Sequence, residues 1–325
     1  MNPDILVSVV IPVKNGESWL RETIPAILNQ QLNGNIEIIT IDSGSTDETI
    51  SILSGYPIKL VQIKPEEFNH GLTRNLGAQL AEGKFVVMTV QDAKPVSPRW
   101  LDELLNGFID ETVAAVCGQQ IVTHDIDKNP AEWYRPISKA EIRKYQFHRK
   151  EDFLKLSPDE QLAVCRWDDV NAMYRSEIMR QLPFRETDFA EDVLWARDAL
   201  LAGLSIVFNP IAQVAHYHHE NFKYAFNRNF IVRYHFYKYF GVLPVNPHYI
   251  RRMLSVIKGM LNNNRIPFLQ KLSWIKYNSD LLRAVRKSNA VFLESITGPG
   301  KGKLDFVYKG MMKSIPQAEG RDIQE

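Results

Sequence analysis

The chain has 325 residues, 45% apolar and 24% charged, which fits a soluble globular protein with one large domain and an appended element, or two ordinary domains. Two cysteines, Cys117 and Cys165, are too few for a disulfide framework and favour a reducing compartment. No basic-then-apolar leader precedes the first strand, and no apolar run reaches the ~18 residues of a membrane span, so a cytoplasmic location is expected.

Residues 5–11 are almost continuously apolar and β-branched, the pattern of a strand covered on both faces. A helix is predicted over 17–31, strands over 36–41, 58–63 and 85–90, and further helices after Ser45 and over 73–81. Strands alternating with helices imply right-handed βαβ units and a mostly parallel sheet flanked by helices. Ligands of such sheets bind beyond the carboxyl ends of the strands. Past Gly118 the rhythm loosens. Residues 123–165 read as an inserted helical or loop region, 167–174 as a strand, 191–202 as a helix stopped by Gly203, and 204–208 as a strand. From Asn221 to about Ala290 aromatic and basic residues recur at helical spacing, and the tail after Gly298 is expected to be mobile. The expected division is an α/β domain over 1–220 and a mainly helical extension over 221–325.

Four polar clusters fall at strand or helix ends. Asp42-Ser43-Gly44-Ser45-Thr46-Asp47-Glu48 follows the second strand; Ser45 with Glu48 fits a capping box. That box does not account for Asp42, whose carboxylate suits a nucleobase imide or a ribose hydroxyl. Gln91-Asp92-Ala93 follows the fourth strand, where a buried lone acid is costly and a hard cation shared with a diphosphate would use it well. Pro95 and Pro98 separate Asp92 from the next helix, which weakens a capping role. Glu191-Asp192 opens a helix, where the macrodipole favours acids and where a general base could also stand. In His216-Tyr217-His218-His219, residues two apart on an extended segment point the same way, so His216 and His218 could share one site.

Taken together these motifs resemble the family 2 glycosyltransferases of the GT-A fold. Val9-Val10-Ile11-Pro12-Val13-Lys14-Asn15 is similar to their first nucleotide-binding strand and loop, and Ile41-Asp42-Ser43-Gly44-Ser45-Thr46-Asp47 to their second. Phe68-Asn69-His70-Gly71-Leu72-Thr73-Arg74-Asn75-Leu76-Gly77 with Gln91-Asp92-Ala93 resembles bacterial rhamnosyltransferases, where Gln-Asp-Ala replaces the usual Asp-x-Asp. The resemblance spans roughly residues 5–240. It implies a GT-A nucleotide-sugar-binding domain and places Pro12, Val13, Asn15, Asp42, Ser43, Arg74, Gln91 and Asp92 at the donor. It implies Mg²⁺ or Mn²⁺ on Asp92, with His216 and His218 completing the site. It further implies Asp192, beside Glu191, as the base of an inverting displacement from dTDP-L-rhamnose. Two roles are open to Arg74, contact with phosphate or pairing with a site acid, against a plain helix-surface arginine.

Net charge is distributed unevenly. Residues 223–313 hold 17 Lys and Arg against Asp280, Glu294 and Asp305, whereas residues 1–222 hold 21 basic and 32 acidic side chains. The basic half, with aromatics interleaved from Phe222 to Tyr239, suggests an anionic membrane surface and a glycan or lipid-linked acceptor, with peripheral attachment to the inner face of the cell membrane. Nucleic acid would leave the strand-end acids unexplained. Two rivals share the α/β frame: a sugar nucleotidyltransferase, usually with a Gly-rich loop and arginine after the first strand, and a non-catalytic nucleotide-sugar binder. Trp167-Asp168-Asp169 and Asn171 either face the acceptor or are ordinary polar strand tips.

Overall fold

The computed structural model describes residues 4–133, 141–297 and 302–312. They form two compact units, one of residues 4–121 and 141–216, the other of residues 122–133 and those from 217 onward.

The first unit is a nine-stranded sheet with helices. Its strands are β1 (Ile5–Val13), β2 (Asn35–Asp42), β3 (Lys59–Gln62), β4 (Phe85–Thr89), β5 (Lys94–Pro95), β6 (Val113–Ile121), β7 (Arg143–Tyr145), β8 (Asn171–Arg175) and β9 (Ser205–Ala215). Its helices are α1 (Glu17–Leu28), α2 (Thr49–Leu53), α3 (His70–Leu80), α4 (Trp100–Leu105), α5 (Lys150–Leu154), α6 (Pro158–Val164), α7 (Ser176–Gln181) and α8 (Glu191–Leu201). The sheet order is β3-β2-β1-β4-β8-β6-β9-β5, with β7 beside β9. Strands β1, β2, β3, β4, β6 and β9 run one way, and β5, β7 and β8 run against them. The mostly parallel expectation therefore holds, with antiparallel strands inserted in the second half.

Apolar strands make the core. Val7, Val9 and Ile11 of β1 and Val87 of β4 are fully buried with Ile24 and Ile27 of α1 and Trp100 of α4. Helix α3 lies close on β1 because Gly77 has no side chain; a Cβ there would overlap Val10. Tertiary contacts moved several local expectations. Helix α3 begins at His70, with the Asn69 side chain accepting from Leu72 N–H at 3.1 Å. Helix α2 begins at Thr49, and Glu48 at its N-cap makes no side-chain cap. The Ser45–Glu48 box is not formed, because the Ser45 hydroxyl serves Asn15 and Asp42. The strand expected over 167–174 is confined to β8, and that expected over 204–208 extends to Ala215.

The second unit is built on helices α9 (Phe222–Phe240), α10 (Tyr249–Asn262), α11 (Phe268–Thr297) and α12 (Leu304–Met312). The aromatics of α9 largely serve its interior: Phe230 meets Phe292 at 5.5 Å between rings, and Tyr234 stacks on Tyr308 at 3.8 Å. Gly241 ends α9 with φ +74, a conformation that suits glycine. A smaller core gathers Val122, Trp133, Met260 and Ile266. Of the tail expected to be mobile, Leu304–Met312 is helical, and residues 298–301 and 313–325 lie outside the described residues. Among the described residues no helix is long and apolar enough to cross a membrane.

Candidate active site

The carboxyl ends of β1, β2, β4, β6 and β9 share one edge of the sheet, and the antiparallel β8 begins there, Asn171 pairing with Thr89 at the end of β4. Nearly all the residues singled out from the sequence lie in the first unit, mostly along this edge, in three groups.

The first group stitches together the loops after β1 and β2. Val13 pairs with Asp42 in register, and Ser43 N–H donates to Val13 O at 3.1 Å. Asn15 has φ 48, a left-handed conformation that asparagine tolerates. Its N–H donates to Ser45 Oγ at 2.8 Å, and its Oδ1 accepts from Thr46 N–H at 2.9 Å. Asp42, 1% exposed, accepts from Gly44 N–H, Ser45 N–H and Ser45 Oγ, so its carboxylate shapes the turn. Gln91 forms a two-bond amide pair with the Lys14 main chain, at 2.9 and 3.0 Å, and thereby positions the β1 loop.

The second group runs across the ends of β4, β8, β6 and β9. Asp92 Oδ2 lies 3.5 Å from His216 Nε2. His216 Nδ1 is 2.7 Å from Gln120 Oε1, and the Gln120 amide nitrogen donates to Asp168. The carboxylate accepts from the Gln120 NH₂, so Oε1 must face the imidazole and accept from Nδ1–H. With Nδ1 engaged by Gln120, Nε2 is the ring atom turned toward Asp92, the orientation a metal-ligating histidine needs. One carboxylate and one imidazole within reach of each other fit a divalent ion. His218 follows two residues on, half-buried, at the start of the second unit's helical part.

The third group surrounds Arg74 on α3, which is 5% exposed. Its Nη1 donates to Glu191 Oε1 at 2.6 Å, and its Nε lies 3.6 Å from Asp169 Oδ2. Of the two roles open to Arg74, pairing with site acids is the one observed, and the surface-arginine reading is excluded. Burial alone would lower the guanidinium's proton affinity, but Asp169 and Glu191 hold it above the ordinary value. Asp169 accepts from Tyr174 OH, which in turn accepts from Trp167 Nε1 at 2.6 Å. Burial pushes the Asp169 carboxyl up to about 7 against the opposing pull of Arg74. Asp192, half-buried in the first turn of α8, is raised well above the carboxylate range by burial and by its neighbours Glu191 and Asp169. Geometry therefore separates the adjacent acids: Glu191 is neutralised by Arg74, whereas Asp192 has high affinity for a proton.

Asp168, Asp169, Tyr174 and Gln120 complete these groups and were missed or left open in the sequence. Their one signal was polar residues beside otherwise apolar strands. Asn171 does not face a ligand: its amide accepts from Trp100 Nε1 at 2.8 Å and donates to Ala212 O at 2.9 Å inside the core. Trp167 is likewise buried, bound to Tyr174.

Residues 8–182 match the family model described as Glycosyl transferase family 2. The O-antigen chain rhamnosyltransferase WbaN of Salmonella anatum is 34% identical over 230 residues, 69% of this chain and 70% of the relative. The O-antigen chain rhamnosyltransferase RfbN of Salmonella typhimurium is 29% identical over the same length and shares. Among solved structures, S. aureus TarS 1-349 superimposes with a TM-score of 0.51 at 15% identity, covering 95% of this chain and 91% of that one. Glucosyl-3-phosphoglycerate synthase from Mycobacterium tuberculosis, in complex with Mn²⁺, UDP and glucosyl-3-phosphoglycerate, gives 0.50 at 18%, covering 74% and 82%. These likenesses bear on the fold, which is GT-A. The chain belongs to glycosyl transferase family 2 and is a glycosyltransferase close to the rhamnosyltransferases.

Proposed function

We propose that this enzyme transfers L-rhamnose from dTDP-L-rhamnose to a hydroxyl of a glycan or lipid-linked acceptor in surface polysaccharide synthesis, with inversion in a single displacement. The observation that carries the mechanism is the division of labour at α8, where Arg74 neutralises Glu191 and Asp192 keeps a raised proton affinity. Asp192 takes the proton from the acceptor hydroxyl as that oxygen attacks the anomeric carbon. The sugar and the polysaccharide role are supported by the names of the two relatives at 34% and 29% identity. Family membership favours transfer over nucleotidyl transfer or non-catalytic binding.

The loops carrying Pro12, Val13, Asn15, Asp42 and Ser43 form the nucleotide cradle, held in shape by Gln91. Asp92 and His216, joined by His218 two residues along the chain, would hold Mg²⁺ or Mn²⁺; the engagement of His216 Nδ1 by Gln120, with Nε2 toward Asp92, supports this set. When bound, such an ion neutralises the charge of the departing diphosphate. The Mn²⁺ and UDP present in the mycobacterial synthase lend this assignment fold-level support. The domain reading keeps donor and catalytic residues in 1–220 and gives the basic, mainly helical part from 221 a role toward an acceptor at the membrane. To test the reading, purified protein is given Mn²⁺ or Mg²⁺ and dTDP-L-rhamnose, UDP-glucose, UDP-GlcNAc or GDP-mannose in turn. Nucleoside diphosphate release is expected from the rhamnose donor, and release only from another donor overturns the sugar.

A further inference from the structure

In the second unit the exposed apolar side chains concentrate on α10 and the first two turns of α11. Ile250 is 75% exposed, Leu254 61% and Leu261 59%, followed by Phe268 at 66% and Leu269 at 76%. At ~100° per residue, Ile250, Leu254, half-buried Ile257 and Leu261 fall within about 60° of arc on α10. The buried face of that helix, Met253 and Met260, lies on a separate arc. The apolar surface of α10 is thus wider than its own core requires. Arg251 and Lys258, both exposed, stand on the shoulder of the exposed stripe opposite the buried face.

Charge completes the pattern. Residues 244–293 carry nine Lys and Arg against the single acid Asp280. Around the start of α10 a groove of about 1040 Å³ is lined by Ile250 and Leu254 together with Arg251, Arg286 and Arg283, the last of these paired with Asp280. Arg286 is placed there by donating to Pro247 O at 3.2 Å and by lying 6.0 Å over the Tyr249 ring. A nucleic acid would call for cations without an adjoining apolar stripe, and a second copy of this face would set cation against cation. Apolar side chains flanked by snorkelling cations match the boundary between acyl chains and anionic headgroups.

We propose that α10 and the start of α11 form a docking face for an anionic phospholipid bilayer, with the arginine-lined groove receiving headgroup phosphate. This rests on the reading of a membrane-borne acceptor and assigns it to residues outside α9, whose aromatics are largely occupied internally. The test uses the full chain with vesicles of phosphatidylcholine alone or enriched in phosphatidylglycerol, read by co-sedimentation. Wild type is expected to pellet with the anionic vesicles only. Arg251→Ala with Lys258→Ala is expected to weaken binding about fivefold per cation, and Ile250→Glu with Leu254→Glu to abolish it. Nucleotide release from the donor without vesicles should be unchanged in both variants, which shows that they are folded. Equal pelleting with neutral vesicles, or variants that bind like wild type, would overturn the docking face. So would a concentration-dependent dimer that the Glu variants dissolve while vesicle binding is absent. Vesicle binding without sugar transfer would instead overturn the functional reading and leave the docking face standing.

Discussion

Replacing Arg74 with alanine removes from a buried cluster the cation that holds Glu191 at 2.6 Å and Asp169 at 3.6 Å. Breaking a buried pair by deleting one partner costs about 3–5 kcal/mol, because the remaining charge is left uncompensated. A domain of ordinary stability has about 5–15 kcal/mol in total, so the variant should be folded but marginal. The pH dependence is the sharper signature. Burial already holds Asp169 at about 7 against the pull of Arg74, so without the guanidinium its carboxyl moves further up. Carboxyls with folded pKa values above their unfolded ~4 carry no penalty below that pH and an increasing one as pH rises through the folded values. The difference between Arg74→Ala and wild type should therefore be small near ~pH 4.5 and widen as pH rises past about 7. Arg74→Lys should fall between them, since a point charge cannot serve both carboxylates as the planar fork does. Urea unfolding followed by circular dichroism at several pH values measures this. A cost below ~1 kcal/mol at ~pH 8, or one that does not grow with pH, would refute the buried charge cluster.

Asp192→Asn should lower kcat by about 10²–10⁴-fold while nucleotide affinity, measured by calorimetry, stays near wild type. In the wild-type enzyme Asp192 must be ionised to act, and its pKa is raised, so kcat/KM should rise with pH along a limb lying above the ordinary ~4 of a carboxylate. Chelation should abolish turnover and Mn²⁺ or Mg²⁺ restore it; Gln120→Leu, which releases His216 Nδ1, should raise the metal concentration for half-activity about 10–100-fold. Gly77→Ala should destabilise by ~1–3 kcal/mol, because α3 would have to lift from Val10; an unchanged melting temperature would refute that contact.

Local pattern made the first half of the fold legible. Strands β1 and β4 announce themselves as almost continuously apolar runs because both their faces are covered, and β2 as an isoleucine-rich run buried over its second half. The edge where ligands gather then follows from the alternation alone. What stayed hidden depends on pairing between distant segments. Nothing near Arg74 in the chain reveals that its partners are 95 and 117 residues away at Asp169 and Glu191. Likewise Gln120 reads as an ordinary strand-end amide until β6 and β9 bring it to His216. Ser45 and Glu48 matched a local capping motif, yet the crossing loop after β1 claimed the serine. For α9 the interleaved aromatics and cations gave no hint of which face was interior, and that assignment came from Phe292 and Tyr308 far along the chain.

Ala190, immediately before the two acids of α8, is 5% exposed and has φ 65 and ψ 29, a conformation that disfavours a side chain. Glycine would relieve roughly 1 kcal/mol there, so selection for heat tolerance alone should enrich Ala190→Gly. The same change would free the pivot from which Glu191 and Asp192 hang. Variants improved on that criterion should then turn over more slowly, and an engineer seeking a robust catalyst would do better to look anywhere but at this alanine.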